Sequence, residues 1–416
     1  MIFVLQKIRE YILQQDRSFY SALLSISSLR VVEKLSGFLI SVFIFRLLTK
    51  EEVASYGFIQ TIVALCAVFG IQEFQSTINQ SVARGFYGTF LKSVPVAFLM
   101  SFIGSFIISM FSFYYFLANN DQMAWGFLVA AFIFPFSFGL AQWKSLLLGE
   151  KRFADFSKAE AANAIVKAFL IVSLILIFPH EIIWPIVAYL AVPATQNIYR
   201  ILSLIRRIDK KSLYEEGSMA YGFKASLYSA ASIVAGQIDK IILFAFLPPA
   251  SLAIYMAAEK FSDSLQGIVQ DISAILAPKF AIIKNYSSEL DKRLKILASL
   301  IGIGILFFAF AILPYLLPFI LGNSYNDSVI LSQILICGGA VRNIASLRFR
   351  FIRSKIDEKS FRQITVYSAI AHILASIILV PIFGLYGAVA SVFIQRMVLS
   401  LIVGHITKTR YLAHEQ

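Results

Sequence analysis

Residues 296–321, ILASLIGIGILFFAFAILPYLLPFIL, form an apolar stretch that contains no charged side chain. A helix rises ~1.5 Å per residue, so about 20 apolar residues cross the ~30 Å hydrocarbon core of a bilayer. The stretch is therefore long enough to span a membrane as one helix. Similar apolar runs recur along the chain, and they decide its fold class.

The composition of the whole chain agrees with this interpretation. Of the 416 residues, 58% are hydrophobic and 15% are charged, whereas roughly 25% of the residues of an ordinary soluble domain are charged. The mean hydropathy is +0.76. These values exclude a soluble enzyme, a disordered chain and a nucleic-acid-binding module.

The sequence predicts no catalytic or metal centre. Cys66 and Cys337 both lie in apolar runs, which excludes a disulfide framework and a cysteine metal cluster. The chain has no GxSxG elbow, P-loop or HExxH motif, and its four histidines are scattered. We expect no cofactor, and any pumping would be driven by a gradient of H⁺ or Na⁺.

We expect an all-α membrane protein with about 12 transmembrane helices in two six-helix lobes around a central cavity. Charged residues, Pro and Gly separate the apolar segments. The predicted helices cover approximately 21–48, 53–80, 90–117, 123–148, 157–178, 182–206, 219–247, 251–281, 293–321, 327–354, 360–380 and 384–407.

The longest polar break, RIDKKSLYEEGS (207–218), divides the chain into two halves. A weak internal repeat supports this division, because FRLLTKEEVASYG (45–57) aligns without gaps on FAFLPPASLAIYM (244–256) with four identities. Parallel repeats of this kind are typical of transporters. The predicted parts are an amphipathic N-terminal segment (1–17), an N-lobe with helices 1–6 (18–208), a cytoplasmic linker (209–218), a C-lobe with helices 7–12 (219–408) and a cytoplasmic tail (409–416).

The distribution of the basic residues predicts the orientation of the chain. With a net charge of +13, Lys and Arg concentrate on every second connection. The opposite connections hold Arg46 and Lys50, which sit beside Glu51 and Glu52. Since cytoplasmic loops carry the excess of Lys and Arg, both termini are predicted in the cytoplasm.

Several ionisable side chains fall near the middle of the predicted helices, where they are costly unless they face a cavity or a partner. The cations outnumber the acids, so we expect a positively charged cavity whose cargo is a phosphate or diphosphate. Pairing among these groups is the alternative for any one of them. The candidate substrate-binding residues are Arg30, Lys34, Lys167, Arg342, Arg396, Tyr228 and Tyr255. The candidates for ion coupling or pairing are Asp239, Glu259, Asp263 and Glu73.

The segment 226–280 resembles the seventh and eighth helices of the Wzx-type polysaccharide and O-antigen flippases, which belong to the multidrug/oligosaccharidyl-lipid/polysaccharide exporter superfamily. The segment VPIFGLYGAVASV (380–392) is similar to the link between the last two helices of that family. The shared features of the first segment are Asp239 followed by Lys240, the start of the next helix at Ala253 and Tyr255, and its end at Ala277 and Pro278.

The resemblance implies two helical bundles around a cationic cavity in the bacterial inner membrane. The cargo would be an undecaprenyl-diphosphate-linked oligosaccharide of O-antigen, lipopolysaccharide or a related surface polysaccharide. It would be moved from the cytoplasmic to the periplasmic leaflet, in contact with membrane lipids and with other glycan-assembly proteins. The family motif carries over directly only at Asp239.

Two alternative functions stay open. A drug antiporter of the same superfamily exports cations and would favour an acidic cavity, which the surplus of Arg and Lys opposes. A membrane glycan polymerase or ligase generally carries a large periplasmic loop, and the predicted outward connections are short.

Overall fold

The computed structural model describes residues 17–71, 74–209, 211–282, 286–354 and 358–412, and every regular element in these ranges is helical. The predicted amphipathic segment at 1–17 lies outside the described residues except for Arg17, and Glu73 lies outside them as well. The helices are α1 Arg17–Leu47, α2 Lys50–Cys66, α3 Phe74–Ala83, α4 Tyr87–Leu117, α5 Asp121–Phe138, α6 Trp143–Gly149, α7 Phe153–Ile177, α8 Ile183–Ile205, α9 Ser218–Ala235, α10 Ile238–Phe246, α11 Pro249–Ile282, α12 Ser288–Phe307, α13 Leu313–Leu321, α14 Asp327–Ser354 and α15 Glu358–Ile406.

All twelve predicted segments are helical, which confirms the fold class. Eight helical stretches of the described chain are long and apolar enough to cross a membrane, and one of them, Lys359–Leu412, covers two predicted spans. The remaining three predicted spans are the helices α1, α8 and α11. Charged or polar side chains within these helices lower their hydropathy.

Three segments that the sequence predicts as continuous helices are broken. The segment 53–80 is interrupted after α2, where Ile71 has a φ of 48°. The segment 123–148 is interrupted between α5 and α6, and the segment 219–247 at Gly236 and Gln237. By contrast, the last two predicted spans run on as α15, with a kink at Gly384, where φ is 58°.

A buried asparagine satisfies the backbone at the break between α5 and α6. The side-chain amide of Asn197 on α8 donates to the carbonyls of Phe136 and Ser137 at 3.1 and 2.8 Å. Its oxygen accepts from the indole nitrogen of Trp143 at 2.7 Å. A Cβ at Gly139 would come within 2.5 Å of the Ser101 hydroxyl, so the break also needs a residue without a side chain.

The chain divides into two compact units. The first contains the described residues up to 43 together with 69–114 and 127–223. Its core includes Phe74, Phe90 and Trp143, all of which are buried. This core holds α3, α4 and α6 together.

The second unit contains residues 44–68, 115–126 and 224–416. Here α11 packs against α14, α14 against α15, and α2 against α11. The two repeat segments are in contact within this unit, since Gly57 lies so close to Met256 that a Cβ at Gly57 would clash with the Met256 side chain. Directly after the first segment, the ring of Phe58 stacks on that of Phe244 with centroids 4.1 Å apart. The lobe limits drawn from the sequence stay a prediction.

The polar linker is docked on the first unit. The backbone nitrogen of Gly88 donates to the carbonyl of Leu213 at 2.9 Å, and the ammonium of Lys92 lies 3.9 Å from the centre of the Tyr214 ring. Glu215 accepts from Arg84 at 2.8 Å and from Ser81 at 2.5 Å. The linker therefore has a fixed place against the ends of α3 and α4.

Candidate functional site

The second unit gathers six of the predicted site residues on four helices. Asp239 lies in the first turn of α10, directly after the break in the seventh predicted span. The positive end of a helix dipole stabilises a carboxylate in this position. The broken helix therefore prepares a place for a buried acid.

Asp239 is 2% exposed, and the fully buried Tyr255 of α11 donates its hydroxyl proton to the Asp239 carboxylate. The other carboxylate oxygen accepts from the backbone nitrogen of Lys240 at 2.9 Å. A buried carboxylate costs free energy unless hydrogen bonds replace its water, and here both oxygens have a donor. Tyr255, a candidate substrate-binding residue, thus has its hydroxyl beside an acid.

Lys240 and Glu259 form a salt bridge between α10 and α11. The ammonium nitrogen lies 2.9 Å from a carboxylate oxygen, and 12% and 27% of the two side chains are exposed. Glu259 is among the residues predicted to couple or pair, and Lys240 is not predicted as its partner. Because Lys240 and Glu259 belong to different helices, they do not have the spacing of three or four residues by which an ion pair within one helix is recognised in a sequence.

Arg342 and Arg396 bind uncharged groups. The guanidinium of Arg342 donates to the Gln266 side-chain oxygen at 3.0 Å, and Gln266 in turn donates to Ser262 at 2.7 Å. Arg396 is 6% exposed and donates to the carbonyl of Leu335. Neither guanidinium has a carboxylate partner in the part of the chain that the structure describes.

Asp263 acts on both of these guanidinium groups electrostatically, without a hydrogen bond to either. Its own side chain is exposed. The second unit therefore contains one buried and one partly buried cation, Arg396 and Arg342, without a bonded carboxylate among the described residues. Such cations can bind a phosphate oxygen when one is brought close to them.

The first unit has a smaller charged cluster on α6 and α7. Lys144 and Glu160 form a salt bridge of 2.7 Å that the sequence analysis misses. The ammonium of Lys167 lies 5.4 Å from the centre of the Tyr189 ring. The sequence does contain a signal for this salt bridge. Lys144 and Glu160 have opposite charges and lie in the two helices, α6 and α7, that a short connection joins.

Arg30 and Lys34 lie on α1, Arg30 partly exposed and Lys34 exposed. The structure places Arg30, Lys34 and Lys167 in the first unit and Arg342, Arg396, Tyr255, Asp239, Glu259 and Asp263 in the second. Tyr228 belongs to α9, but its side chain lies outside the described residues, as does Glu73.

Residues 21–284 match the model of a family described as polysaccharide biosynthesis protein, and this range is more than half of the chain. The chain belongs to this family. No curated protein matches the chain significantly.

Solved structures of transporters share the fold of this polysaccharide biosynthesis protein. The structure of "Lipid II flippase MurJ, inward closed conformation" has a TM-score of 0.72 and 17% identity, covering 92% of this chain and 87% of that one. The structure of the MATE multidrug transporter DinF-BH has a TM-score of 0.68 and 14% identity, covering 96% of each chain. A MOP superfamily transporter from Pyrococcus furiosus has a TM-score of 0.63 and 13% identity, covering 95% of this chain and 96% of that one.

The chain is therefore a multi-pass membrane protein with the fold of a transporter. Among the described residues, no group of three or more His, Cys, Asp or Glu could hold a metal ion. The chemistry that the described clusters offer is the binding of charged groups and the movement of protons or ions between acids.

Proposed function

We propose that the protein is a flippase that moves an undecaprenyl-diphosphate-linked oligosaccharide from the cytoplasmic to the periplasmic leaflet of the bacterial inner membrane. The cargo is a unit of O-antigen or of a related surface polysaccharide. Transport proceeds by alternating access and is coupled to an ion. The family match supports the link to polysaccharide synthesis, and the fold is one that transporters share.

The observation that supports an anionic cargo is the burial and hydrogen bonding of Arg342 and Arg396. Both are buried or partly buried, and both donate hydrogen bonds to uncharged oxygens. Burying a cation without a bonded anion is expensive, so an anionic ligand that supplies the missing charge binds favourably. A guanidinium matches the oxygens of a phosphate better than an ammonium does.

The proposal assigns a role to each of the candidate residues. Arg342 and Arg396 bind the diphosphate, the cations of the first unit also bind the anionic cargo, and the tyrosines contact sugar. Asp239 and Glu259 bind the coupling ion or pair with the neighbouring cations. The cations of the first unit and the tyrosines with these roles are Arg30, Lys34, Lys167, Tyr228 and Tyr255.

Charge reversal at one cation of each unit tests the proposal. Arg30→Glu and Arg342→Glu are expected to abolish surface glycan in cells that lack their own copy of the protein, at normal protein levels. The matched control is Arg293→Glu, since Arg293 is exposed and pairs with the exposed Glu289. Full glycan export by both variants would disprove the cationic binding mechanism.

A drug antiporter is the second candidate, because structures of MATE multidrug transporters share the fold. Arg342 and Arg396, which have no bonded carboxylate among the described residues, argue against a cationic cargo. Efflux of a cationic dye from a sensitive strain separates the two functions: the flippase is expected to give no efflux above that of the empty vector.

A membrane glycan polymerase or ligase is less compatible with the short connections of the described chain. The connections from Leu117 to Asp121 and from Leu321 to Asp327 leave no room for a folded domain. When the purified protein is incubated with the lipid-linked oligosaccharide, we therefore expect no lengthening of the glycan chain and no transfer of the glycan to an acceptor.

A further inference from the structure

His372 is a buried ionisable residue to which the proposed function assigns no role. It lies on α15, and 3% of its surface is exposed. Neither ring nitrogen makes a hydrogen bond within the described residues. Buried polar groups in proteins nearly always have a hydrogen-bond partner, so a buried imidazole without one needs an explanation.

The surroundings of His372 contain an acceptor that a protonated ring could use. The helix α10 packs against α15, and the carbonyl of Ala235, the last residue of α9, lies close to the ring without a hydrogen bond of proper geometry. Because α9 ends at Ala235, this carbonyl lies outside the ladder of helical hydrogen bonds.

Charged groups on both sides act on the ring. Asp239 stabilises a protonated imidazole, whereas Lys240 on the same helix and Arg396 on α15 oppose it. The ionisable groups that in turn act on Asp239, Lys240 and Arg396 are Tyr255, Glu259, Asp263 and Arg342. Burial also disfavours a charge on the ring, and a movement of α10, which carries both Asp239 and Lys240, changes the charges that act on it.

The Tyr255 hydroxyl donates to Asp239, and among the described residues the ring of His372 has no hydrogen-bond partner. Asp239 acts on this ring through space, which makes a protonated ring a second candidate partner for its carboxylate. When the ring takes up one proton, both of its nitrogens become donors and its charge rises from zero to +1. It then competes with Tyr255 for the carboxylate and can donate to the Ala235 carbonyl.

We propose that His372 is the residue that binds the coupling proton of this transporter. The protonated ring then replaces the Tyr255 hydroxyl as the hydrogen-bond donor to Asp239 at the break between α9 and α10. The proposal rests on the proposed function and names its coupling ion. Binding of the proton shifts α10 against α11 and α15, all within the second unit.

The first experiment measures protonation of the ring directly, independently of transport. The full-length protein, labelled with ¹⁵N-histidine and reconstituted in lipid nanodiscs, is titrated between about pH 5 and pH 8 by NMR. His372→Gln identifies the signal of His372. His405→Gln is the matched control, because His405 lies on the same helix and is exposed.

The signal that is lost in His372→Gln is expected to titrate reversibly in this range. Asp239→Asn should lower its titration midpoint by about one pH unit, since the stabilising charge is removed. Tyr255→Phe should raise the midpoint, because the carboxylate loses its competing partner. A ring that stays neutral throughout, or a midpoint that neither variant moves, would overturn the proposal.

The second experiment measures surface glycan in cells, with and without a protonophore. Wild-type protein and His405→Gln should restore glycan and lose it with the protonophore, whereas His372→Gln should not restore it. Export that resists the protonophore and stops when Na⁺ is removed would rule out the proton as the coupling ion. If wild-type protein restores no glycan while the NMR titration responds to Asp239→Asn as expected, the proposed function is wrong and the proton site stands.

Discussion

At the residue scale, two ion pairs that involve the same helix, α12, differ in burial. Arg348 of α14 donates hydrogen bonds of 2.8 Å to both carboxylate oxygens of Asp291, which is 4% exposed. The hydroxyl of Tyr286 donates to the same carboxylate at 2.7 Å. Arg293 and Glu289 form a pair of 2.9 Å with most of both side chains exposed. The two pairs provide a direct test of how burial sets the strength of an ion pair.

Arg348→Ala should lower the free energy of unfolding by about 1–3 kcal/mol, because the buried carboxylate of Asp291 loses two hydrogen bonds but keeps Tyr286 and Lys295 as partners. Arg293→Ala should change it by about 1 kcal/mol or less, since water screens the exposed pair. Thermal and denaturant unfolding of the purified protein in detergent measures both values. Equal effects of the two substitutions would contradict the argument from burial.

The sequence predicts which charged residues belong to the candidate site, but it does not predict which groups they bind. A charged residue inside an apolar run stands out, and Asp239, Glu259 and Arg396 are found in this way. Their partners depend on how separate helices pack. Arg396 binds a backbone carbonyl, which any residue provides, so no sequence pattern indicates it.

At the element scale, hydropathy predicts where helices lie but not where they break. An apolar window has the same composition whether its helix is continuous or interrupted. The break between α5 and α6 is stabilised by Asn197, which is distant in sequence. The break at Gly236 places a buried acid at a helix start, and the sequence analysis treats that region as one helix.

Asn197→Ala should destabilise the first unit by at least about 1–3 kcal/mol, the cost of leaving one buried polar group unpaired. The substitution removes the partner of the Trp143 indole and of two backbone carbonyls. Thr195→Ala on the same helix is the control, because Thr195 is exposed and bonds only its own helix; it should stay within about 0.5 kcal/mol. Thermal unfolding is the measurement, and similar melting temperatures for the two variants would count against this role of Asn197.

Docking of the linker should depend on pH. Arg84 and Ser81 donate to Glu215 and hold the pKa of its carboxyl below the ordinary value. Glu215 therefore stabilises the docked linker above the ordinary carboxyl pKa, and this contribution is lost as the pH falls through the lowered value. Glu215→Gln should loosen the linker at neutral pH and remove the acid dependence.

Amide hydrogen exchange at Gly88 and at Glu215 reports this docking. The Gly88 nitrogen donates to the linker carbonyl of Leu213, and the Glu215 nitrogen of the linker donates to the Thr89 hydroxyl on α4. Gly88→Val serves as a positive control, since a Cβ there would come within 2.4 Å of the Ser212 carbonyl. Faster exchange in Glu215→Gln than in the wild type is expected. Equal protection in the two proteins at neutral pH would show that the carboxylate does not hold the linker.

At the scale of the whole molecule, the basic residues predict which ends of the helices face the cytoplasm. The linker carries Lys210 and Lys211, whereas the connection from Leu321 to Asp327 has no Lys or Arg. Cytoplasmic loops carry the excess of basic residues, so these two connections should lie on opposite sides of the membrane.

Labelling of introduced cysteines tests this orientation, and Ser324→Cys and Ser212→Cys are nearly isosteric changes in the two connections. A membrane-impermeant maleimide should label Ser324→Cys in intact cells and Ser212→Cys only after the membrane is opened. The unsubstituted chain is the blank, because it retains the buried Cys66 and the partly buried Cys337. The reverse labelling pattern would place both termini outside the cytoplasm, and the proposed direction of transport would have to be reversed with it.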